Sequence, residues 1–289
     1  MVDFILTADF HLTETAPVHR KDDYIGAMLR KLKFLTDLKN KHNCPILCSG
    51  DVFHYWKSSP MLISFAIKNL PNMFSVAGNH DLPEHSLQLY PKSSLHVLEL
   101  VENVVFLNDA PINVGGFTVA GFSYGQELHA TGSDIVVLHE MVFQSPPWPN
   151  AVGYRPRDLV ELFGSARLIL TGHNHGAFVE KVGDVWVVNP GALMRMSIDS
   201  KDYKPRCYLY SSKDNTVKEV FYPIDEDVFE DAVVSSVVKD DQLKAFIEQI
   251  DFSWQGGLSF KDNLERFFKE HNTPRKVREV IWRSLETTN

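Results

Sequence analysis

Five short apolar runs recur along the first part of the chain, and each ends in a polar cluster. Phe4–Thr7 leads into Asp9-Phe10-His11, and Ile46–Ser49 into Gly50-Asp51. Phe74–Ala77 leads into Gly78-Asn79-His80-Asp81, Ile135–Leu138 into His139, and Leu168–Thr171 into Gly172-His173-Asn174-His175. Apolar runs of this length, bounded by glycine and polar residues, read as strands buried on both faces, the parallel type. Between the first two, Asp22–Asn40 carries Ile25, Met28, Leu29, Leu32 and Leu35 at helical spacing, which predicts a helix covering a core. Met61–Asn69 and Ser93–Leu100 also read as helices, and Val104–Leu107 and Phe117–Phe122 as strands of a second sheet.

Past the last polar cluster the pattern changes to paired strands. Phe178–Lys181 and Val185–Val188 flank Val182-Gly183-Asp184, and Arg206–Ser211 and Val217–Tyr222 flank Lys213-Asp214-Asn215, both hairpin signals. After Pro223 the chain turns acidic over Asp225–Asp231. Gln242–Ile250 and Asp262–His271 then read as helices. Thr273 and Pro274 start a last one, as N-cap and first helical residue. The organisation expected is a large α/β domain over 1–224 and a small helical appendage over 225–289.

In open α/β sheets, ligands bind beyond the carboxyl ends of the strands. One sheet edge would then gather two aspartates, an asparagine and several histidines. That oxygen and nitrogen donor set suits two divalent metal ions. Without thiolates it favours manganese, iron or zinc over calcium or a structural zinc.

The order of the five clusters resembles the calcineurin-like metallophosphoesterase superfamily, whose pattern is Asp-x-His, Gly-Asp, Gly-Asn-His-Asp/Glu, a lone His, and Gly-His-x-His. The resemblance runs over roughly residues 1–224 and implies a four-layer α/β/β/α sandwich. It also implies a ligand set: Asp9, His11, Asp51 and His175 on one metal, and Asp51, Asn79, His139 and His173 on the other, with Asp51 bridging. Two such ions can clamp a phosphate and lower the pKa of an attacking water. His80 is similar to the family's catalytic histidine, expected to stabilise the transition state and protonate the leaving oxygen. Asp81 is expected to orient His80. Manganese is the first expectation for the metal, with iron, zinc and magnesium as alternatives.

Within the superfamily, Gly50-Asp51-Val52-Phe53-His54 followed by Ser58-Ser59-Pro60 resembles the SbcD-type DNA repair nuclease subunit. His54 matches that group's histidine three positions after the bridging aspartate, which helps place the substrate phosphate. Asn189-Pro190-Gly191-Ala192 resembles that group's Pro-Gly turn. The resemblance implies a DNA exo- or endonuclease, with an SMC-like ATPase and a second copy of the chain as candidate partners. The appendage is smaller than the capping and partner-binding parts of full-length SbcD-type proteins. Protein phosphatases fit less well, because Val52-Phe53-His54 and Ala77 replace their arginine-bearing segments. The alternatives are a small-molecule or cyclic-nucleotide phosphodiesterase or phosphatase, and a catalytically silent scaffold.

Composition narrows this further. The 289 residues carry a formal net charge of −8. A generally basic nucleic-acid binder is excluded, so DNA contact requires a local patch. Lys57, Arg155, Arg157, Arg195, Lys201 and Lys204 are candidates for it, with Trp56, Trp148 and Tyr154 as stacking partners for unpaired bases. Cys44, Cys48 and Cys207 form no metal-type pair or disulfide framework. With no signal peptide or apolar span evident, a cytoplasmic protein is expected. His19, His42, His85, His96, His129 and His271 read as structural or solvent-exposed, with His85 at the rim of the site.

Overall fold

A computed structural model describes residues 1–146 and 151–230, and the single positions 268, 269, 275 and 278. The chain divides into two compact units, Met1–Ser235 and Ser236–Asn289. In the second, Phe268 is buried and the Arg278 guanidinium lies 5.7 Å from the centre of its ring. Apart from the helical positions 268, 269, 275 and 278, the three tail helices expected beyond Gln242 lie outside the described residues.

The first unit is built on two six-stranded sheets. In one, β1 (Phe4–Thr7), β2 (Ile46–Cys48), β3 (Met73–Ser75) and β4 (Val104–Phe106) run parallel. The antiparallel hairpin β11 (Arg206–Ser211) and β12 (Thr216–Phe221) adds to the β1 side. The other sheet has the order β5-β6-β7-β8-β10-β9. Its four inner strands β6 (Phe117–Phe122), β7 (Ile135–Leu138), β8 (Leu168–Thr171) and β10 (Val185–Asn189) are parallel. Its edges β5 (Ile112–Val114) and β9 (Phe178–Val182) are antiparallel.

Alternation along each strand sorts the side chains into layers. Phe4, Leu6 and Leu47 meet Val119, Ile135, Val137, Leu168, Leu170 and Val188 between the sheets. Ile5, Ile46 and Cys48 face the opposite way, against helices α1 (Tyr24–His42), α2 (Pro60–Asn69) and α3 (Ser94–Leu100). On the far side of the second sheet, Val136, Leu138, Ile169 and Val187 pack with Leu159 and Phe163 of and just after helix α4 (Pro156–Leu162). The result is the expected α/β/β/α sandwich. It explains the unbroken apolar runs, because both faces of each central strand are buried. Truncating one such residue, Leu6→Ala for instance, removes about 2–5 kcal/mol.

Local signals set the helix ends. Asp23 caps α1 by accepting from Gly26 N at 2.9 Å, and Ser59 caps α2 by accepting from Leu62 N at 3.1 Å, with Pro60 at its first position. Asn43 closes α1 in the left-handed conformation, at φ 49°. The buried stripe of α1 differs from the one expected. Leu29 is 37% exposed, whereas Lys31 is only 3% exposed and donates to the Leu193 carbonyl at 2.7 Å. Burial, reinforced by the nearby Arg20 and Arg195 charges, pushes the Lys31 ammonium down to about 7. One further expectation needs correction. Val104–Leu107 supplies a strand of the first sheet, paired with β3, not of the second. And β5 and α4 carry no counterpart in the pattern read from sequence.

Among the described residues, no helix is long and apolar enough to cross a membrane.

Candidate metal centre

The carboxyl ends of β1, β2, β3, β7 and β8 converge, so the polar clusters meet between two sheet edges and not on one. The loops after β1 and β2 stay in register beyond their strands. Asp9 N donates to Gly50 O at 3.1 Å, His11 N to Asp51 O at 2.9 Å, and Leu12 N to Val52 O at 2.9 Å. This zipper sets Asp9 and His11 beside Asp51. The second sheet is tied in through Ser49, whose hydroxyl donates to the Thr171 carbonyl at 2.7 Å. The Ser49 carbonyl accepts from His139 Nδ1 at 2.5 Å, so this ring presents Nε2 to the site.

Asp9, His11, Asp51 and His173 all sit in the left-handed region, with φ of 49°, 46°, 52° and 70°. For residues other than glycine this conformation costs about 1–3 kcal/mol each and concentrates at functional positions. Glycines provide the clearance. A side chain on Gly78 would put its Cβ 2.0 Å from Asp51 Oδ1, and one on Gly50 would lie 2.7 Å from His139 Nδ1.

Two clusters of ligand-type atoms result. Asp9, His11 and His175 form one, and Asp51, His139 and His173 the other, each with its atoms within 4.8 Å of one another. Asp51 Oδ2 lies 3.6 Å from His11 Nε2 and 3.3 Å from His139 Nε2, between the two. Asn79 Oδ1 is 3.1 Å from His139 Nε2 and 3.0 Å from His173 Nδ1. His11, His54 and His80 form a third cluster on the side of the first.

The donors fit divalent cations. Asp9 Oδ2 is buried with no hydrogen-bond partner among the described residues, an arrangement that is unfavourable for a carboxylate unless a cation faces it. His11 Nε2 and His175 Nε2 lie 2.9 Å apart. No thiol takes part, since Cys44, Cys48 and Cys207 are buried and outside both clusters.

The electrostatics are those of carboxylates and imidazoles forced together out of water. Burial pushes Asp9 up to about 8, with the Asp51 charge adding to it. Burial would also raise Asp51, but the imidazoles of His139, His80 and His11 outweigh it and hold that carboxyl well below its usual range. His139 is the converse: burial opposes its charge, and the Asp51 carboxylate overrides this and lifts it to about 10. Burial lowers His11 well below its ordinary value and His173 to about 3, which keeps both rings neutral, the form that ligates metal.

His80 lies over this centre. Its main-chain N–H donates to Asp51 Oδ1 at 2.9 Å, and its Nδ1–H to the His54 carbonyl at 2.8 Å, so Nε2 is the ring nitrogen that these contacts leave unused. Its ring stacks on that of His54, 5.2 Å between centres and 18° between planes, and stands edge-on to His11 at 4.7 Å. The expected partner Asp81 does something else. Its carboxylate accepts from the main-chain N–H groups of Phe53 at 2.9 Å, Gly78 at 3.0 Å and Val52 at 3.1 Å. Asp81 thus braces the loops that carry Asp51 and Asn79, and the main chain at His54 orients His80.

Of the basic candidates, Arg195 is buried and donates to the carbonyls of Lys201 and Asp225, which makes it structural. Lys57, Arg155, Arg157, Lys201 and Lys204 are exposed, Trp56 and Tyr154 half-buried, and Trp148 lies outside the described residues. Two more residues join the site: His85, expected at its rim, and Tyr124, which sequence reading left out. His85, at φ 55°, donates from Nδ1 to the Asn79 carbonyl at 3.1 Å. Tyr124 packs its ring 5.5 Å from that of His173 and 5.9 Å from that of His85. Tyr124 follows the carboxyl end of β6, so the strand-end rule applied to Phe117–Phe122 would have found it.

The model of the calcineurin-like phosphoesterase superfamily domain matches residues 3–208. The chain belongs to this superfamily. It is therefore a phosphoesterase-type chain, of a superfamily that typically binds two divalent ions, with His and Asp groups placed to hold them. No protein of curated function matches it. Among solved structures, the superfamily fold here is similar to that of an archaeal phosphodiesterase, at 15% identity over 75% of this chain and 98% of that one, TM-score 0.42. A candidate 5′-nucleotidase from Staphylococcus aureus is similar at 15% identity over 85% of this chain and 58% of that one, TM-score 0.48. A metallophosphoesterase from Sphaerobacter thermophilus is similar at 16% identity over 76% of this chain and 89% of that one, TM-score 0.39. Identities this low transfer no substrate within the superfamily.

Proposed function

We propose that this chain is a two-metal phosphodiesterase that cleaves DNA, a compact enzyme of the SbcD type. The observation that carries the reading is His54. It lies three positions after Asp51, its ring is stacked on His80 and its Nδ1 is 3.4 Å from His11 Nδ1. Next to it, Tyr55 is 64% exposed and packs edge-on against the His54 ring at 4.4 Å. An open aromatic beside a phosphate-handling pair suits a nucleotide of a strand, whose base can stack there.

Two divalent cations, manganese in this reading, would be held by Asp9, His11, Asp51 and His175 on one side and Asp51, Asn79, His139 and His173 on the other. Bound there, they neutralise the phosphate and acidify the attacking water. The chain's own residues do the rest. In this role both ring nitrogens of His80 carry protons: Nδ1–H donates to the His54 carbonyl, which orients the ring, and Nε2–H stabilises the charge developing on the phosphate and passes its proton to the leaving oxygen. The His54 ring positions the phosphate from the same side. Exposed Lys57, Arg155, Arg157, Lys201 and Lys204 supply local attraction for the backbone on a chain of negative net charge. An SMC-like ATPase and a second copy of the chain are the partners this reading implies.

The test is Mn2+-dependent cleavage of single- and double-stranded DNA, beside bis-p-nitrophenyl phosphate and cyclic nucleotides, with His80→Ala as control. DNA cleavage that His80→Ala lowers about 10²–10⁴-fold, with metal content unchanged, supports the proposal. Hydrolysis of the small esters with DNA left intact would move the enzyme to a small-molecule substrate.

A further inference from the structure

The loop Gly172–Ala177 connects β8 to β9, yet β10 lies between these two strands in the sheet. The loop must therefore pass across the carboxyl end of β10, whose last residue is Asn189. Asn189 is 0% exposed, and its amide nitrogen donates to the carbonyls of Asn174 at 2.6 Å and Gly176 at 2.8 Å. Both flank His175; Asn174 also adjoins His173, whereas Gly176 and the turn that follows Asn189 act on the His175 side alone. Among the described residues, the buried amide oxygen of Asn189 has no hydrogen-bond partner. A buried amide that uses both donors and leaves its acceptor unused is unfavourable unless the donors do something specific.

The turn that follows continues the hold. Gly191 has φ 72°, and a Cβ there would lie 2.5 Å from the His175 carbonyl. Ala192 N donates to that same carbonyl at 3.3 Å, and Leu193 N donates to the Asp9 carbonyl at 3.0 Å. The Tyr203 hydroxyl donates to the Pro190 carbonyl at 3.3 Å and closes the turn. Residues 189–193 thus reach His175 and Asp9, which share a cluster with His11. Among the described residues, no hydrogen bond from this turn reaches Asp51, His139 or His173.

We infer that Asn189 is the positioning residue for His175, and that it tunes the affinity of the Asp9–His11–His175 site selectively, leaving the Asp51–His139–His173 site as it is. The inference rests on the reading of His175 as a metal ligand. Groups that orient a ligand from behind change metal affinity by about 10–100-fold when removed. A hydrogen bond that served only the fold would instead lower thermal stability and leave both affinities alone.

The experiment is a Mn2+ titration of the full chain by calorimetry, with bound metal counted, on wild type, Asn189→Ala, Asn189→Leu and His175→Ala. Leucine keeps the volume and removes the donors. In both Asn189 variants one ion should bind as in wild type and the other about 10–100-fold more weakly. Should neither fold, Asn189→Ser keeps one donor and should show the same selective loss to a smaller degree. Two unchanged affinities in a folded variant, or two affinities weakened alike, would overturn the inference. His175→Ala separates the two levels. If it keeps both ions at wild-type affinity, the ligand reading itself fails; if it loses one while the Asn189 variants lose none, only the role of Asn189 fails.

Discussion

Lys31 offers a test of the electrostatics in which the titrating group is not itself a metal-type ligand. Its ammonium is buried on the inner face of α1, with the Leu193 carbonyl at 2.7 Å and Met194 Sδ at 3.4 Å as its hydrogen-bond acceptors. Burial first, then the charges of Arg20 and Arg195, bring its pKa to about 7, while Asp225 and Asp22 pull the other way. In the unfolded chain a lysine titrates near 10.4. Between these values the unfolded state binds the proton and the folded state does not, so stability rises with pH across the window. Below about pH 7 both states hold the proton and this contribution is flat. Each pH unit inside the window is worth up to about 1.4 kcal/mol, so stability gains about 2 kcal/mol from Lys31 between pH 7.5 and 9. Lys31→Met removes the gain. It also leaves the Leu193 carbonyl without its donor, at a cost of about 1–3 kcal/mol, but that offset is the same at both pH values. The assay is urea unfolding of wild type and variant in EDTA at pH 7.5 and 9. The quantity read is the difference between the two pH slopes, from which groups common to both proteins drop out. Equal slopes would refute the reasoning, whatever the variant's absolute stability.

Other expectations are more direct. Asp51→Ala should abolish binding of both ions, read by metal analysis of the folded protein. In EDTA it should also lower the pKa of His139 from about 10, because the Asp51 carboxylate is the main group opposing burial there, and an NMR titration reads this. Gly78→Ala should lower stability by about 1–3 kcal/mol and weaken ion binding, because the new methyl would lie 2.0 Å from Asp51 Oδ1 and force it aside; thermal melts and Mn2+ titration check it. Asp81→Ala should leave the main-chain N–H groups of Val52, Phe53 and Gly78 without their acceptor, costing roughly 3 kcal/mol or more in a thermal melt.

The central strands were legible because their environment is uniform. Phe4–Thr7, Ile135–Leu138 and Leu168–Thr171 are buried on both faces, so their apolar runs end where the strands end. Helix α2 announced itself through Ser59 and Pro60. Elements that bury little left no trace. β5 covers Ile112–Val114 and buries only Val114, while α4 is seven residues long and buries only Pro156 and Leu159. Helix α3 is no longer than this, but it buries Ser94, Leu95 and Leu98 and has Ser93 as a side-chain cap, whereas α4 has no such stripe. Sheet membership is a tertiary fact, and the pairing of β4 with β3 was not encoded in Val104–Phe106 itself. The clustering of the metal-type residues was readable, since strand ends and residue types both point to it. What Asp81 faces was not readable, because a carboxylate beside a histidine in sequence can as well turn to the main chain.

The position of β1 has a consequence for the order in which the molecule assembles. The strand that carries Asp9 and His11 lies inside its sheet, paired on one side with β2 and on the other with β11, where Phe4 is opposite Tyr210. During synthesis at about 5–20 residues per second, roughly 200 residues separate the two partners, a delay on the order of 10–40 s. Over that interval one edge of β1 is unpaired, and the turn at Leu193 that grips Asp9 does not yet exist. Ion capture at Asp9 and His11 is thus one of the last steps in maturation. A chain truncated before Arg206 should emerge as an open-edged, aggregation-prone product that cannot hold its metals.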